Sequence, residues 1–483
     1  MNNIESLNHN NDLKKGLKKM HVQMVALGGV IGSAYFYGLG GLMSMTGPAA
    51  FLAFAFGGIL VFSTLYCLGE LLVAMPVTGS FISYSREFIS DGFAAGVGWT
   101  YWVAIIVYIP SECIVTGTIM NMYVPQLSVL MWAIIAAVFL SIINLGQVSN
   151  LGKIESVLAL TKVMAIVIFT ILAILICLGV IGTQGAPGTA NLLQEGGLFP
   201  LGVLAVFLNM SIIVMNFAGI EIIALTAGET ENPSAVMPSA VRAGAFRIFF
   251  LFVIPSFLIA TIYPWTAASY DESAFSAALA YNGFTALSHI FNMIIIVAAF
   301  SCANCNLYAA IRAMYSLSKE GMAPKQMGYV TNKGVPIMAA GFSLILVWII
   351  IFVYTFDTSG LFYVYLLATS GVATVFCWGS ICISQFIFRR RLYAEGLSER
   401  NLKFYTPLFP LPNVLGLAIL VFTLIITAYS ADLRLSLYIG LPCFIIPYAI
   451  FETISKSGKF KIKKEIDFKD VLKEIKSTHY LIK

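Results

Sequence analysis

Residues 25–36 read V-A-L-G-G-V-I-G-S-A-Y-F and lie midway along the first long apolar segment. Gly28, Gly29 and Gly32 fall within five positions, followed by Ser33 and Ala34. A glycine inside a helix costs about 1 kcal/mol relative to alanine, so three of them need a reason. Small residues let membrane helices approach closely. Alternatively, the helix is built to break there, leaving backbone groups free to hold a ligand. The rest of the chain decides between the two.

The 483 residues are 59% hydrophobic and only 11% charged, with a mean hydropathy of +0.88. A soluble domain carries about a quarter charged residues, so the composition indicates a polytopic membrane protein. Met1 to Lys19 is polar and lacks the apolar core of a signal peptide, so no cleavage is expected. The net charge of +5 is no nucleic-acid signature. All eight cysteines lie in apolar segments rather than in loops suited to disulfides. Cys302 and Cys305 form a C-x-x-C inside a helix with no second ligand pair, which reads as packing rather than a metal site. No metal and no cofactor are expected.

Twelve apolar segments are long enough to span, at 21–45, 48–75, 94–123, 129–145, 155–181, 201–227, 241–265, 284–314, 337–354, 360–388, 412–429 and 435–451. With both termini cytoplasmic, the inside segments hold Lys14, Lys15, Lys18, Lys19, Arg86, Arg312, Arg389, Arg390, Arg391 and nine lysines from Lys456 onward, among others. The outside loops hold only Arg434. This is a positive-inside pattern, and it supports the even count independently of hydropathy. The basic tail reads as a solvated extension attracted to anionic headgroups.

The sixth segment carries a counterpart to the opening stretch: N-F-A-G-I-E, Asn216 to Glu221. Gly32 and Gly219 are 187 residues apart, with five segments between equivalent points. Five is odd, so a repeat of that period is inverted in the membrane. Interrupted helices at matching positions of inverted repeats point to a transporter site at the bilayer midplane. The expected organisation is a cytoplasmic tail (1–20), a first repeat (21–181), a second repeat (201–392), two accessory helices (411–453) and a basic cytoplasmic tail (454–483). The first segment runs outward, so free N–H groups near Ala34 favour a carboxylate. The sixth runs inward and ends its outer half near Asn216 and Phe217 with free carbonyls, which favour an ammonium. A zwitterion carrying both groups on one carbon fits: an α-amino acid or similar amine.

Four ordered motifs resemble bacterial amino-acid permeases of the amino acid–polyamine–organocation superfamily. They are K-K-M-H-V-Q-M-V-A-L-G-G-V-I-G-S (Lys18 to Ser33), G-E-L-L-V-A-M-P-V-T-G-S-F-I-S-Y-S-R-E-F-I (Gly69 to Ile89), F-A-G-I-E with A-G-E-T-E-N-P (Phe217 to Pro233), and N-C-N-L-Y-A-A-I-R-A-M-Y-S-L-S-K-E-G-M-A-P-K (Asn304 to Lys325). The resemblance implies an all-α, leucine-transporter-like 5+5 inverted repeat with broken helices 1 and 6. It also implies uptake or exchange of amino acids. The family's first break usually reads G-S-G or G-T-G; here it is Gly32-Ser33-Ala34 followed by Tyr35, a departure that bears on substrate range.

Substrate contacts are expected from Ile31, Gly32, Ser33, Ala34, Asn216, Phe217, Ala218 and Gly219. A charge at a helix centre costs about 2.5–3.5 kcal/mol on insertion scales, which marks each intramembrane charge as a functional candidate. Lys162 either snorkels to the inner headgroups or stands as a cation in place of sodium. In the resembling family a lysine at this point is tied to proton coupling, and T-K-V-M (Thr161 to Met164) looks like that position. Glu112 is a hydrogen-bonded packing acid or a substrate-side, proton-relay carboxylate. Glu221 is expected to tie broken backbone ends together, Glu70 to join an inner gate or packing network, and Tyr35 to gate or to pack.

The expected function is secondary transport of an amino acid through the cytoplasmic membrane, proton-coupled, with neutral substrates favoured. An exchanger of amino acids or amines and a non-transporting receptor of the same fold are the alternatives. An enzyme is not expected: the chain has no H-E-x-x-H and no phosphate loop ending in G-K-[ST].

Overall fold

The computed structural model describes residues 19–144, 151–227, 230, 233–331, 334–357, 360–458 and 464–480. The basic residues Lys14, Lys15 and Lys18 lie outside the described residues, as does most of the N-terminal tail. The elements are all helices. The first apolar segment comprises α1 (Lys19–Val30), α2 (Ser33–Phe36) and α3 (Gly38–Thr46). Then follow α4 (Ala50–Ala74), the short α5 (Phe81–Phe88), α6 (Asp91–Tyr123), α7 (Val129–Asn144), α8 (Leu151–Cys177) and the single turn α9 (Ala190–Leu193). The sixth segment comprises α10 (Val203–Leu208), α11 (Met210–Phe217) and α12 (Ile222–Leu225). The remainder is α13 (Pro233–Ile262), α14 (Ala274–Tyr281), α15 (Thr285–Lys319), α16 (Ile337–Tyr354), α17 (Phe362–Ala394), α18 (Leu411–Tyr429), α19 (Leu435–Lys456) and α20 (Phe468–Tyr480).

All twelve apolar segments contain helix, and among the described residues eight stretches are both long and apolar enough to cross a membrane uninterrupted. The first and sixth segments are broken. Shorter apolar stretches among the described residues lie at Val129–Asn144, Met210–Leu225 and Phe250–Ile262.

α6, α15 and α17 form the centre. α6 packs along α15 and α17, while α1 lies against α8 and α15, and α13 against α4 and α8. α18 and α19 sit on the outside of this group, on α4, α6 and α17.

The C-terminal tail is not a solvated extension. Ile466, Phe468, Val471 and Leu472 are buried. The Phe468 ring sits 5.8 Å from Phe88 and 6.0 Å from Phe388. The Glu465 carboxylate accepts the N–H groups of Thr78 and Gly79, each at 3.1 Å, and the Ser83 hydroxyl at 2.7 Å. The reason is that α20 carries one apolar stripe, and the α4–α5 turn offers unpaired N–H groups beside an apolar seat.

Candidate functional site

The first helix breaks at Ile31 and Gly32, between α1 and α2. Gly32 has an extended backbone, φ −134° and ψ −163°. Such a break leaves carbonyls free at the end of α1 and N–H groups free at the start of α2, with about half a charge of each sign. Both ends are capped by side chains of matching character. On the carbonyl side, the Lys162 ammonium donates to Gly28 O at 2.7 Å, and Cys302 and Asn306 of α15 donate to Gly29 O at 3.1 and 3.3 Å. On the N–H side, Ser33 N–H donates to both oxygens of Glu112, each at 3.1 Å. The Tyr108 hydroxyl, one turn back on α6, donates to the same carboxylate. A cation lies at the helix C-terminus and an anion at the helix N-terminus, each the favoured sign.

The requirement for glycine at position 32 is steric. A Cβ there would meet Glu112, lie 2.6 Å from Cys302 Sγ and 2.7 Å from the Tyr108 hydroxyl.

The second break runs from Ala218 to Glu221, between α11 and α12. Gly219 has φ +103°, and a Cβ on it would stand 2.6 Å from Gly29 O. The two breaks therefore touch, backbone against backbone. Glu221 turns back to accept the Gly219 N–H at 3.1 and 3.2 Å, and Trp378 of α17 donates to it at 3.0 Å.

Ile31, Ser33 and Ala34 are all buried at the first break. Asn216 and Phe217 close α11, with the Asn216 amide folded onto Ile212 O at 2.9 Å and its Oδ1 unpartnered among the described residues. Phe217 packs into an aromatic group with Phe54 and Phe252, its ring 4.8 Å from that of Phe252. Tyr35 joins that group and donates to Phe252 O at 2.9 Å, so its hydroxyl faces α13 and not Ser33. Glu70 is elsewhere: it pairs with Arg389 of α17 and accepts the Thr406 N–H at 2.6 Å, in a buried network of its own.

Lys162 is completely buried, so it does not snorkel. It lies on α8 (Leu151–Cys177). Its neighbour Glu155 was not singled out by the sequence. Glu155 is also completely buried, accepts from Ser301, and has an oxygen 3.9 Å from the ammonium. The signal was present: an acid and a base seven residues apart lie two turns apart on one helix face. Asn304 of α15 accepts from Asn144 at 2.7 Å. Among the described residues no three His, Cys, Asp or Glu side chains gather as metal ligands.

Broken helices capped by buried charges, inside an all-helical apolar bundle, define a multi-pass membrane protein with a polar site at its centre. The chain belongs to the amino acid permease family, whose sequence model matches residues 21–464. It is 35% identical to the amino-acid permease RocC of Bacillus subtilis (strain 168) over 471 residues, 97% of this chain and 98% of that one. It is 37% identical to the putative histidine permease of the same organism, over 92% of this chain and 94% of the relative. It is 32% identical to that organism's probable threonine/serine transporter YbxG, over 92% and 96%.

Proposed function

We propose that the chain is a secondary transporter that moves an amino acid across the cytoplasmic membrane by alternating access, driven by proton uptake. The observation that carries this reading is the contact between the two breaks, with Ser33 N–H already holding a carboxylate. The N–H end of α2 receives the substrate carboxylate, and the carbonyl end of α11 at Asn216 and Phe217 receives its ammonium. Neutral side chains fit best; histidine, threonine and serine come first because two relatives carry those names.

Lys162 takes the place of a sodium ion, with Glu155 beside it and Gly28 O as its acceptor. The Lys162 ammonium ties the end of α1 to α8, so movement of the broken helix works against that bond. Residues 21–181 and 201–392 act as inverted halves over twelve spans, with both termini cytoplasmic. Docking of the C-terminal tail on the α4–α5 turn supports that orientation, since the sequence assigns both to the same side.

The test is a thermal-shift screen of the purified protein against the twenty L-amino acids, since binding stabilises by mass action. Uptake of the strongest binder into proteoliposomes follows. Accumulation is expected with an inward proton gradient and without sodium or ATP. Absence of binding and uptake across all twenty sinks the proposal, and wild-type sodium dependence refutes the role of Lys162.

A further inference from the structure

The polar groups around Ser33 do not balance. Glu112 is buried, and its two oxygens both accept one backbone N–H, with the Tyr108 hydroxyl as a further donor. Two hydroxyls beside it have no partner at all among the described residues: Ser33 Oγ and Tyr363 Oη. Ser33 is fully buried and Tyr363 is 8% exposed. They come from different helices, α2 and α17. A buried hydroxyl left unbonded costs on the order of 1–3 kcal/mol. Two of them beside a helix N-terminus describe a receptor with one seat taken and two donors idle.

We infer that Glu112 occupies the seat of the substrate's carboxylate, and that loading the site exchanges one carboxylate for the other. This inference rests on the proposed function. The incoming carboxylate takes the Ser33 N–H, the Ser33 hydroxyl and the Tyr363 hydroxyl. Two carboxylates on one N–H repel strongly enough that one must leave or protonate. Glu112 swings off with the Tyr108 hydroxyl. The titratable groups that face it are Tyr108 on its own helix, Cys302 on α15, Tyr363 on α17 and, further off, Lys162 on α8. Lys162 is already committed to Gly28 O and Glu155. The displaced Glu112 therefore binds a proton from the open side, –COO⁻ + H⁺ → –COOH, once per substrate. When the substrate leaves, the proton leaves and Glu112 reseals the empty break. Tyr363 sets affinity because its hydroxyl has no other acceptor among the described residues.

The experiment uses the full-length protein and the L-amino acid that stabilises it most in the screen above. Wild type in weakly buffered detergent solution takes up about one proton per amino acid bound, and affinity rises as pH falls. Infrared difference spectra show a protonated carboxyl band on loading, absent in Glu112→Gln and shifted in Glu112→Asp. Glu112→Gln binds with no pH slope and exchanges substrate across the bilayer, but does not accumulate it against a gradient. Tyr363→Phe lowers affinity roughly tenfold, the loss of one hydrogen bond to a charged group, and keeps the proton uptake. Binding to wild type without proton uptake, or without the carboxyl band, overturns the inference and leaves the proposed function standing. A Glu112→Gln variant with the wild-type pH slope overturns it too. Failure of all twenty amino acids to bind overturns the proposed function itself.

Discussion

At the scale of single residues, buried charge sorts the site. Glu155 and Lys162 are both fully buried, and their charged atoms stand 3.9 Å apart. Removing one partner of a buried pair leaves an uncompensated charge, at a cost of about 3–5 kcal/mol. Lys162→Gln is therefore expected to lower thermal stability strongly, and Lys162→Gln with Glu155→Gln to recover part of the loss. Melting temperatures in a double-mutant cycle check this; strictly additive losses would mean the pair does not interact. Gly219 presents a different constraint. Its φ of +103° strains any side chain, and a methyl would strike the Gly29 carbonyl. Strain of this kind costs about 1–3 kcal/mol. Gly219→Ala is expected to melt earlier and to lose transport, measured on the same preparation. Lys162 and Glu112 were legible in the sequence because a charge stands out in an apolar run. Glu155 was not, because it sat at a segment's edge. Tyr363 was not, because nothing local separates it from the other tyrosines of apolar helices.

At the scale of elements, helix ends decide the arrangement. A broken helix exposes carbonyls and N–H groups that apolar surroundings cannot satisfy. α1 and α2 solve this with donors from α8 and α15 on one side and an acceptor from α6 on the other. α11 and α12 solve it with Glu221, steadied by Trp378. Trp378→Phe keeps one aromatic ring in place, leaves a small void where the rest of the indole was, and removes one donor from a buried carboxylate. A loss of about 1.5–3 kcal/mol is expected, read as a lower melting temperature, and it should shrink when Glu221 is already glutamine. The glycines and the runs around them revealed where the helices break. They did not reveal who caps the ends, because the capping partners are 79 residues away for Ser33 and 134 for Gly28.

At the scale of the molecule, the C-terminal tail closes over one end of the bundle. Phe468 lies between Phe88 and Phe388, and Lys476 pairs with Glu395 at 3.0 Å. The tail thus joins the turn after α4 to the end of α17. Burial first, and the neighbouring Glu320 carboxyl second, push Glu465 above the ordinary carboxylate value. Glu320 is itself paired with Arg86, and Ser83 donates to both acids. An acid raised on docking holds its proton more tightly docked than free. Docking is therefore strongest below the free value and weakens as pH rises through the raised one. Limited proteolysis of the tail across pH should show faster cleavage at higher pH, and Glu465→Gln should flatten that dependence. Phe468→Ser should release the tail at every pH. The stripe formed by Ile466, Phe468, Val471, Leu472 and Ile475 was visible in the sequence. Its seat was not, since the seat is assembled from α5 and α17.

The sequence by itself determined the class of protein, the twelve apolar segments, the two points of breakage and the buried charges at Glu70, Glu112, Lys162 and Glu221. Those are local properties: hydropathy along a run, glycine where a helix pays for its freedom, a charge where none is cheap. Only the tertiary structure decided that Glu112 sits on Ser33, that Lys162 holds Gly28, that Gly219 rests against Gly29 and that the tail is docked. Each of these joins groups far apart in the chain, and a pairing of that kind is set by how helices pack, which no single stretch encodes.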